Sequence, residues 1–348
     1  MKIVQIAPFD EAVPPKKYGG TELVIYNITE ELLKRGHKVY LLASGDSKTS
    51  AKLLPIFPKA LRANAQAKDP RIKDSLKFIG ISRILEYLKN LDIDIIHNHI
   101  GWRLLPFSSF IKPPIITTLH GPLDVENQSL FYGNFKKANY VSISNNQREP
   151  LPDLNYIATI YNGIALKKFP FSEEGGEYLA FLGRISPEKG PVQAIEAAKK
   201  AGLKLKMAAK VDLVDKAFFE KEVAPLIDQK QIIFLGEIDH KGKVELLKGA
   251  KALLCPIQWR EPFGLFFIEA MACGTPVIAF DRGSAREIIE DKKTGFIVKN
   301  VKEIVQAIKN INKIDRRKCR QQVEKYFTVE KMTDGYEKVY YKILEKKK

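Results

Sequence analysis

The sequence predicts an α/β protein made of two doubly wound halves, each a parallel sheet covered by helices. Three observations predict it. Short apolar runs alternate with stretches of helical periodicity along most of the 348-residue chain. The series breaks once, at residues 161–177, "YNGIALKKFPFSEEGGE", which is rich in turn formers and poor in period. The length also exceeds what one ordinary core holds, so two domains are expected.

"KIVQIAP" reads as a buried strand, "GTELVIYNITEELLKRG" as a helix stopped by Gly36, and "HKVYLLAS" as a second strand. That is a β–α–β unit, which implies parallel strands. The helix "KDSLKFIGISRILEYLKN" and the strands "IDIIHNH", "PIITTLH" and "NYVSISN" continue the first half. A second series begins near Glu177. Its strands are "EYLAFLGRI", "KLKMAAK", "QIIFLGE", "ALLCPI" and "PVIAF"; its helices are "GPVQAIEAAKKAG", "KGKVELLKGA" and "GLFFIEAMACG". The predicted domains are 1–165 and 175–330. The last stretch, "GYEKVYYKILEKKK", carries an aromatic face that needs a partner, and a helix is expected over about 332–348. No internal repeat is evident.

The composition, 45% hydrophobic and 28% charged, is that of a globular protein. No apolar run reaches the roughly 18 residues of a membrane span. "MKIVQIAPFD" reads as a strand and not as a signal segment, and the three cysteines are an odd, sparse count; both suit a reducing cytoplasm. The net charge of +16 is spread evenly, since residues 1–170 hold 23 Lys and Arg against 15 Asp and Glu. With no zinc-finger spacing and no aromatic-rich RNA signature, nucleic acid is not an expected partner. The oligomeric state is not readable from the sequence.

In open α/β sheets ligands bind outside the carboxyl ends of the strands. Gly19 and Gly20 precede the first helix, where a backbone without Cβ atoms can approach a ligand. An ordinary loop is the plain alternative. Arg184 ends a strand and Lys189 follows in the same loop, a fork and a point charge able to hold a diphosphate leaving group; two surface cations would look the same. Glu261 and Glu269 bracket the apolar run from Pro262 to Ile268. Pro262 suits the first position of a helix, so Glu261 is expected at or just before a helix start and Glu269 about two turns in, roughly 12 Å along the axis and about 80° around it. That reach fits a nucleoside-diphosphate sugar, one carboxylate at each end. A helix cap is the plain alternative for Glu261.

On these residues the chain resembles the family-4 retaining glycosyltransferases, which have the GT-B fold of two Rossmann-like domains facing a central cleft. The glutamate pair matches the family's E-x7-E motif within "EPFGLFFIEAMACGTPVIA". "YGGTE" (18–22), "DIDIIHNH" (92–99), "TTLHGP" (117–122), "YNGI" (161–164), "LGRISPEKG" (182–190), "GSAREII" (283–289) and "FTVEKMTDGYEKVY" also fit, so the resemblance covers nearly the full length. On "VPPKKYGGTE", "ASGDS" and "WREPFGLFFIEAMACG" it is similar to bacterial enzymes of the UDP-glucose:tetrahydrobiopterin glucosyltransferase type, with Arg260 where a proline is common. The acceptor is not adopted from that likeness.

The resemblance implies roles. Glu261 would bind hydroxyls of the transferred sugar, and Phe263, Gly264 and Leu265 would offer backbone N–H groups to sugar and phosphates. Glu269 would bind the ribose, Arg184 and Lys189 would stabilise the departing diphosphate, Gly19 and Gly20 would line donor and acceptor space, and His120 would lie near the reacting carbon. No cofactor is expected. A UDP-sugar is the first expectation for the donor and a GDP-sugar the second; the acceptor is unidentified. The rival readings are a GDP-mannose-dependent mannosyltransferase on a lipid or glycan acceptor, a sugar-nucleotide epimerase, and a non-catalytic binder.

Two patterns resemble metal sites. Asp92-Ile93-Asp94 looks like a DxD motif, and His97 and His99 share one strand face without an evident third ligand. Both are read as structural or substrate-shaping, with no metal. Residues 47–63, "SKTSAKLLPIFPKALRA", combine lysines with apolar residues expected on the surface, read first as a mobile acceptor-side loop and second as a segment for peripheral contact with an inner membrane face.

Overall fold

The computed structural model describes residues 1–16 and 19–345. Tyr18 of the glycine motif and the last three residues of the expected C-terminal helix therefore lie outside the described residues. The chain divides into two compact units, Met1–Gly163 with Val329–Lys348, and Ile164–Thr328.

The first unit holds a seven-stranded parallel sheet of β1 (Lys2–Ile6), β2 (Lys38–Ala43), β3 (Lys52–Pro55), β4 (Ile95–Asn98), β5 (Ile115–Thr118), β6 (Asn139–Ser142) and β7 (Tyr156–Thr159). The spatial order is β3-β2-β1-β4-β5-β6-β7, all parallel. Helices on both faces explain why both faces of a strand are buried: in β1 Ile3, Val4, Gln5 and Ile6 are all fully buried. The order reverses between β1 and β4, the place where such sheets bind ligands.

The helices of this unit are α1 (Gly20–Lys34), α2 (Pro70–Asn90) and α3 (Gln128–Gly133). Gly36, at φ 83°, lies just past the end of α1 in the left-handed conformation that glycine tolerates best. Asp69 caps α2 by accepting from the Arg71 N–H, with Pro70 at its first position.

Segment 47–63 departs from expectation. It contains β3, and Ile56, Phe57 and Leu61 are 1%, 7% and 2% exposed within the first unit's core. Its lysines Lys52 and Lys59 are exposed, but Ile56, Phe57 and Leu61 are not a surface. Gly80 on α2 explains the depth, because a Cβ there would sit 3.0 Å from the rings of Phe57 and Phe9.

The second unit holds a six-stranded parallel sheet of β8 (Tyr178–Arg184), β9 (Lys204–Lys210), β10 (Ile232–Gly236), β11 (Ala250–Cys255), β12 (Val277–Phe280) and β13 (Gly295–Val298). The order is β10-β9-β8-β11-β12-β13, which reverses between β8 and β11. Its helices are α4 (Pro191–Ala201), the three-residue α5 (Lys216–Phe218), α6 (His240–Lys248), α7 (Leu265–Ala272), α8 (Ala285–Ile288), α9 (Val301–Asn310) and α10 (Arg316–Tyr326).

The chain then returns to the first unit as α11 (Val329–Glu345), which packs against α1. Tyr336 and Tyr340, the aromatic face noted in the sequence, are 1% and 0% exposed there. Arg35 locks the contact by pairing with Asp334 at 2.8 Å and with Glu337. Among the described residues no helix is long and apolar enough to cross a membrane.

Candidate functional site

In the second unit the candidate residues gather at the switch point. Arg184 is the last residue of β8, and Lys189 follows in the loop to α4. Gly190 at φ 70° leads into Pro191, and its missing Cβ lets the loop lie against the Pro256 carbonyl oxygen beyond β11. The Gln258 N–H donates to the Glu188 oxygen at 2.7 Å, tying together the loops after the two strands. This brings Lys189 Nζ to 2.5 Å from Glu261 Oε2, with both side chains nearly buried. Trp259 Nε1 donates to the same oxygen at 3.0 Å. The ammonium also lies 5.1 Å from the ring centroids of Trp259 and Phe266.

Glu261 is not on a helix. The sequence expects a start near Pro262, but α7 begins at Leu265, after Gly264 at φ 81°. Glu261 therefore stands on an irregular loop, and the helical estimate of its offset from Glu269 does not apply. The loop is set from outside. Ser284 N donates to the Glu261 carbonyl at 3.0 Å, and Ser284 Oγ donates to the Phe263 carbonyl at 2.7 Å. Phe263 is buried, Gly264 caps α7 with no side-chain hydrogen bond, and Leu265 opens the helix. The positive end of the helix dipole thus begins beside Glu261 in the chain, a setting that favours an anion.

Glu269, on α7, is 5% exposed and receives a 2.5 Å hydrogen bond at Oε1 from Lys243 of α6. The sequence reading did not find Lys243, and its spacing offers no signal. The two glutamates share one arrangement. Glu261 Oε2 and Glu269 Oε1 are each held by a lysine, while among the described residues Glu261 Oε1 and Glu269 Oε2 accept no hydrogen bond and are not among the sealed, unsatisfied atoms. Each carboxylate is ordered on one side and presents an acceptor on the other.

Arg184 is held by acids in this structure. It pairs with Glu188, and its Nε lies 3.4 Å from Asp215. Burial pushes the Asp215 carboxyl above the usual range, against the pull of Arg184.

In the first unit, Gly19 caps α1, where a Cβ would run into Pro15. Gly20 opens the helix. Glu22, the last residue of "YGGTE", sits in the first turn at 6% exposure, and burial pushes its carboxyl up to about 7. His120 follows β5, and its Nε2 lies 2.8 Å from His99 Nδ1. His99 Nε2 lies 2.7 Å from Gln5 Oε1. An amide oxygen only accepts, so His99 carries its proton on Nε2 and accepts from His120 through Nδ1. His120 then holds its proton on Nε2, and its Nδ1 is an acceptor. Burial pushes His120 down to about 4 and His97 and His99 well below the usual imidazole value, so all three are neutral at pH 7.

The two metal-like patterns are otherwise employed. Asp92 pairs with Lys2, and Asp94 accepts from the Lys2 N–H at 2.7 Å. His97 lies between the Tyr340 and Thr118 hydroxyls, 2.7 Å from each. Among the described residues no group of three or more His, Cys, Asp or Glu is placed to hold a metal ion.

Two family models match almost end to end. Residues 18–168 match Glycosyltransferase Family 4, and residues 164–326 match Glycosyl transferases group 1. The chain belongs to the family-4 glycosyltransferases. Among the similar curated proteins is N-acetyl-alpha-D-glucosaminyl L-malate synthase of Bacillus anthracis, 24% identical over 94% of each chain. Sucrose-phosphate synthase from Thermosynechococcus elongatus superposes with a TM-score of 0.83 at 19% identity over 99% of both chains. Anabaena HepE, solved with UDP and glucose, gives 0.77 at 17% identity over 98% of this chain and all of its own. These likenesses establish the GT-B fold with its two Rossmann-like sheets. Within this family-4 glycosyltransferase, the E-x7-E pair lies after β11, and each of its glutamates is held by a lysine from an earlier element, Lys189 after β8 and Lys243 on α6.

Proposed function

We propose that the chain transfers a hexose, glucose first, from UDP to a hydroxyl acceptor with the anomeric configuration retained and without a metal ion. The observation that carries the reading is the pair of lysine-held glutamates, each presenting one carboxylate oxygen. A sugar nucleotide offers hydroxyl groups at both ends and a diphosphate between them. Glu261 meets the hexose hydroxyls, Glu269 the ribose, and the N-terminus of α7 the phosphates. The choice of UDP is supported by the ligand of HepE, a protein of the same fold.

In the reaction the bond from the anomeric carbon to the β-phosphate oxygen breaks, and that oxygen takes the electron pair. The acceptor oxygen bonds to the same face of the carbon and gives its proton to the departing phosphate. Negative charge grows on the diphosphate, and Lys189 and Arg184 compensate it. Lys189 has three N–H donors, so the bond to Glu261 leaves two. Fixed cations of this kind are typically worth about 10²–10³ in rate.

The test is thermal unfolding with UDP, GDP, UDP-glucose and GDP-mannose without added metal. A hundredfold excess over Kd stabilises the native state by about 2.7 kcal/mol. UDP and UDP-glucose should stabilise, and Glu269→Ala should abolish the shift. Stabilisation by GDP species alone would overturn the UDP assignment, and no shift at millimolar concentration would overturn the donor site. Proton NMR of the product's anomeric coupling tests retention.

A further inference from the structure

We infer that Lys243 is a positioning residue that makes Glu269 discriminate ribose from 2′-deoxyribose in the donor nucleotide. The inference rests on the donor-site reading above and assigns a task to a residue outside the E-x7-E motif. Glu269 is 5% exposed, and Lys243 is the one side chain among the described residues that hydrogen-bonds it. A carboxylate that deep needs a counter-charge to stay ionised and a fixed partner to stay in one rotamer. Lys243 provides both at Oε1 and leaves Oε2 to accept from a hydroxyl.

Lys243 is itself fixed. Asp239 caps α6 by accepting from the Gly242 N–H at 2.8 Å. His240 Nε2 lies 3.0 Å from the Lys168 carbonyl oxygen, which ties the helix start to the segment ahead of β8. The Phe169 ring lies 5.5 Å from the Lys243 ammonium. The ammonium is thereby aimed at one oxygen. A charged acceptor presented in one place gains most from a donor hydroxyl in one place, and a ligand lacking that hydroxyl leaves it buried and unpaired. Discrimination therefore depends on the lysine as much as on the glutamate.

The experiment is calorimetric titration of the full chain with UDP and with 2′-deoxy-UDP, comparing wild type, Lys243→Met, Lys243→Arg, Glu269→Gln and the double variant Lys243→Met/Glu269→Gln. Wild type should prefer UDP by about tenfold or more, the scale of a hydrogen bond to a charged group. Lys243→Met should weaken UDP and bring the two ligands to near equality, Lys243→Arg should recover most of the preference, and the double variant should discriminate no less than Glu269→Gln alone. The double variant has no uncompensated charge, so it reports even if Lys243→Met folds poorly. Lys243→Met that keeps the wild-type preference, with or without lost thermal stability, would show a purely structural ion pair and overturn the inference. Wild type that binds UDP without preference would overturn it too, while leaving the donor site standing. Wild type that binds neither UDP nor GDP would remove the donor-site reading itself.

Discussion

Lys189 and Glu261 meet at 2.5 Å although 72 positions separate them. They come from the loops after β8 and β11, parallel neighbours between which the strand order reverses. The ion pair is therefore a product of the sheet order. Removing one member leaves the other nearly buried and uncompensated, which costs about 3–5 kcal/mol. Lys189→Ala should lower stability by about that amount in urea unfolding and lower kcat by roughly 10²–10³. Lys189→Ala/Glu261→Gln should regain much of the stability without regaining activity. Stability and turnover recovered together would show that the lysine's task is structural.

A second prediction concerns Gly283. Its φ is 58°, and a Cβ there would collide with the backbone N and O of Glu261. Gly283→Ala should destabilise by about 1–3 kcal/mol through backbone strain and should weaken UDP binding by moving the Glu261 loop. Gly202→Ala is the control. It has a similar φ of 67° but open space around it, so it should cost about 1 kcal/mol and leave binding unchanged. Equal effects on binding would sink the loop argument.

These two sites mark what the sequence discloses and what it hides. The alternation of strand and helix is a local pattern, so ten of the thirteen strands could be read directly; β3, β7 and β13, each only four residues long, could not. Glu261 and Glu269 were recognisable by spacing, yet their geometry was not. Pro262 has the local character of a helix start, but Ser284 and Glu188, distant in sequence, hold residues 258–263 as a loop. Lys243 gave no signal because its partner lies on the next helix across a strand. Phe57 looked superficial beside the lysines, because the room for its ring comes from Gly80, 23 positions away on α2. Non-local contacts account for each of these misreadings.

Arg184 supplies a third prediction. Its guanidinium is shared among Glu188, Asp215 and, at 4.0 Å, Asp212. Asp215→Asn keeps the shape and removes a competing charge, so it should tighten UDP binding at low salt. Arg184→Ala should weaken UDP and lower kcat by about 10² or more. Asp215→Asn that weakens UDP would mean that the carboxylate aims the guanidinium rather than competing for it.

The histidines of the first unit supply the last prediction, on pH. Burial lowers His97, His99 and His120 in the folded state, His120 to about 4, from the ordinary value of 6.5. Below 6.5 the unfolded chain binds protons that the folded chain refuses. The stability these groups contribute is therefore fully present above 6.5 and is lost as pH falls towards 4. Glu22 acts with the opposite sign. Its folded carboxyl is raised from 4.5 to about 7, so its contribution is present below 4.5 and is lost as pH rises to 7. Urea unfolding from pH 4 to 8 should show the two effects opposing each other between 4.5 and 6.5. His99→Gln removes one of the titrating rings, so the acid-side slope should become shallower by up to roughly 1.4 kcal/mol per pH unit. Glu22→Gln should do the reverse, steepening the acid-side loss and flattening the profile near neutrality. An unchanged slope in His99→Gln would show that the ring already takes up its proton in the folded chain, and the tautomer chain from Gln5 to His120 would fall with it.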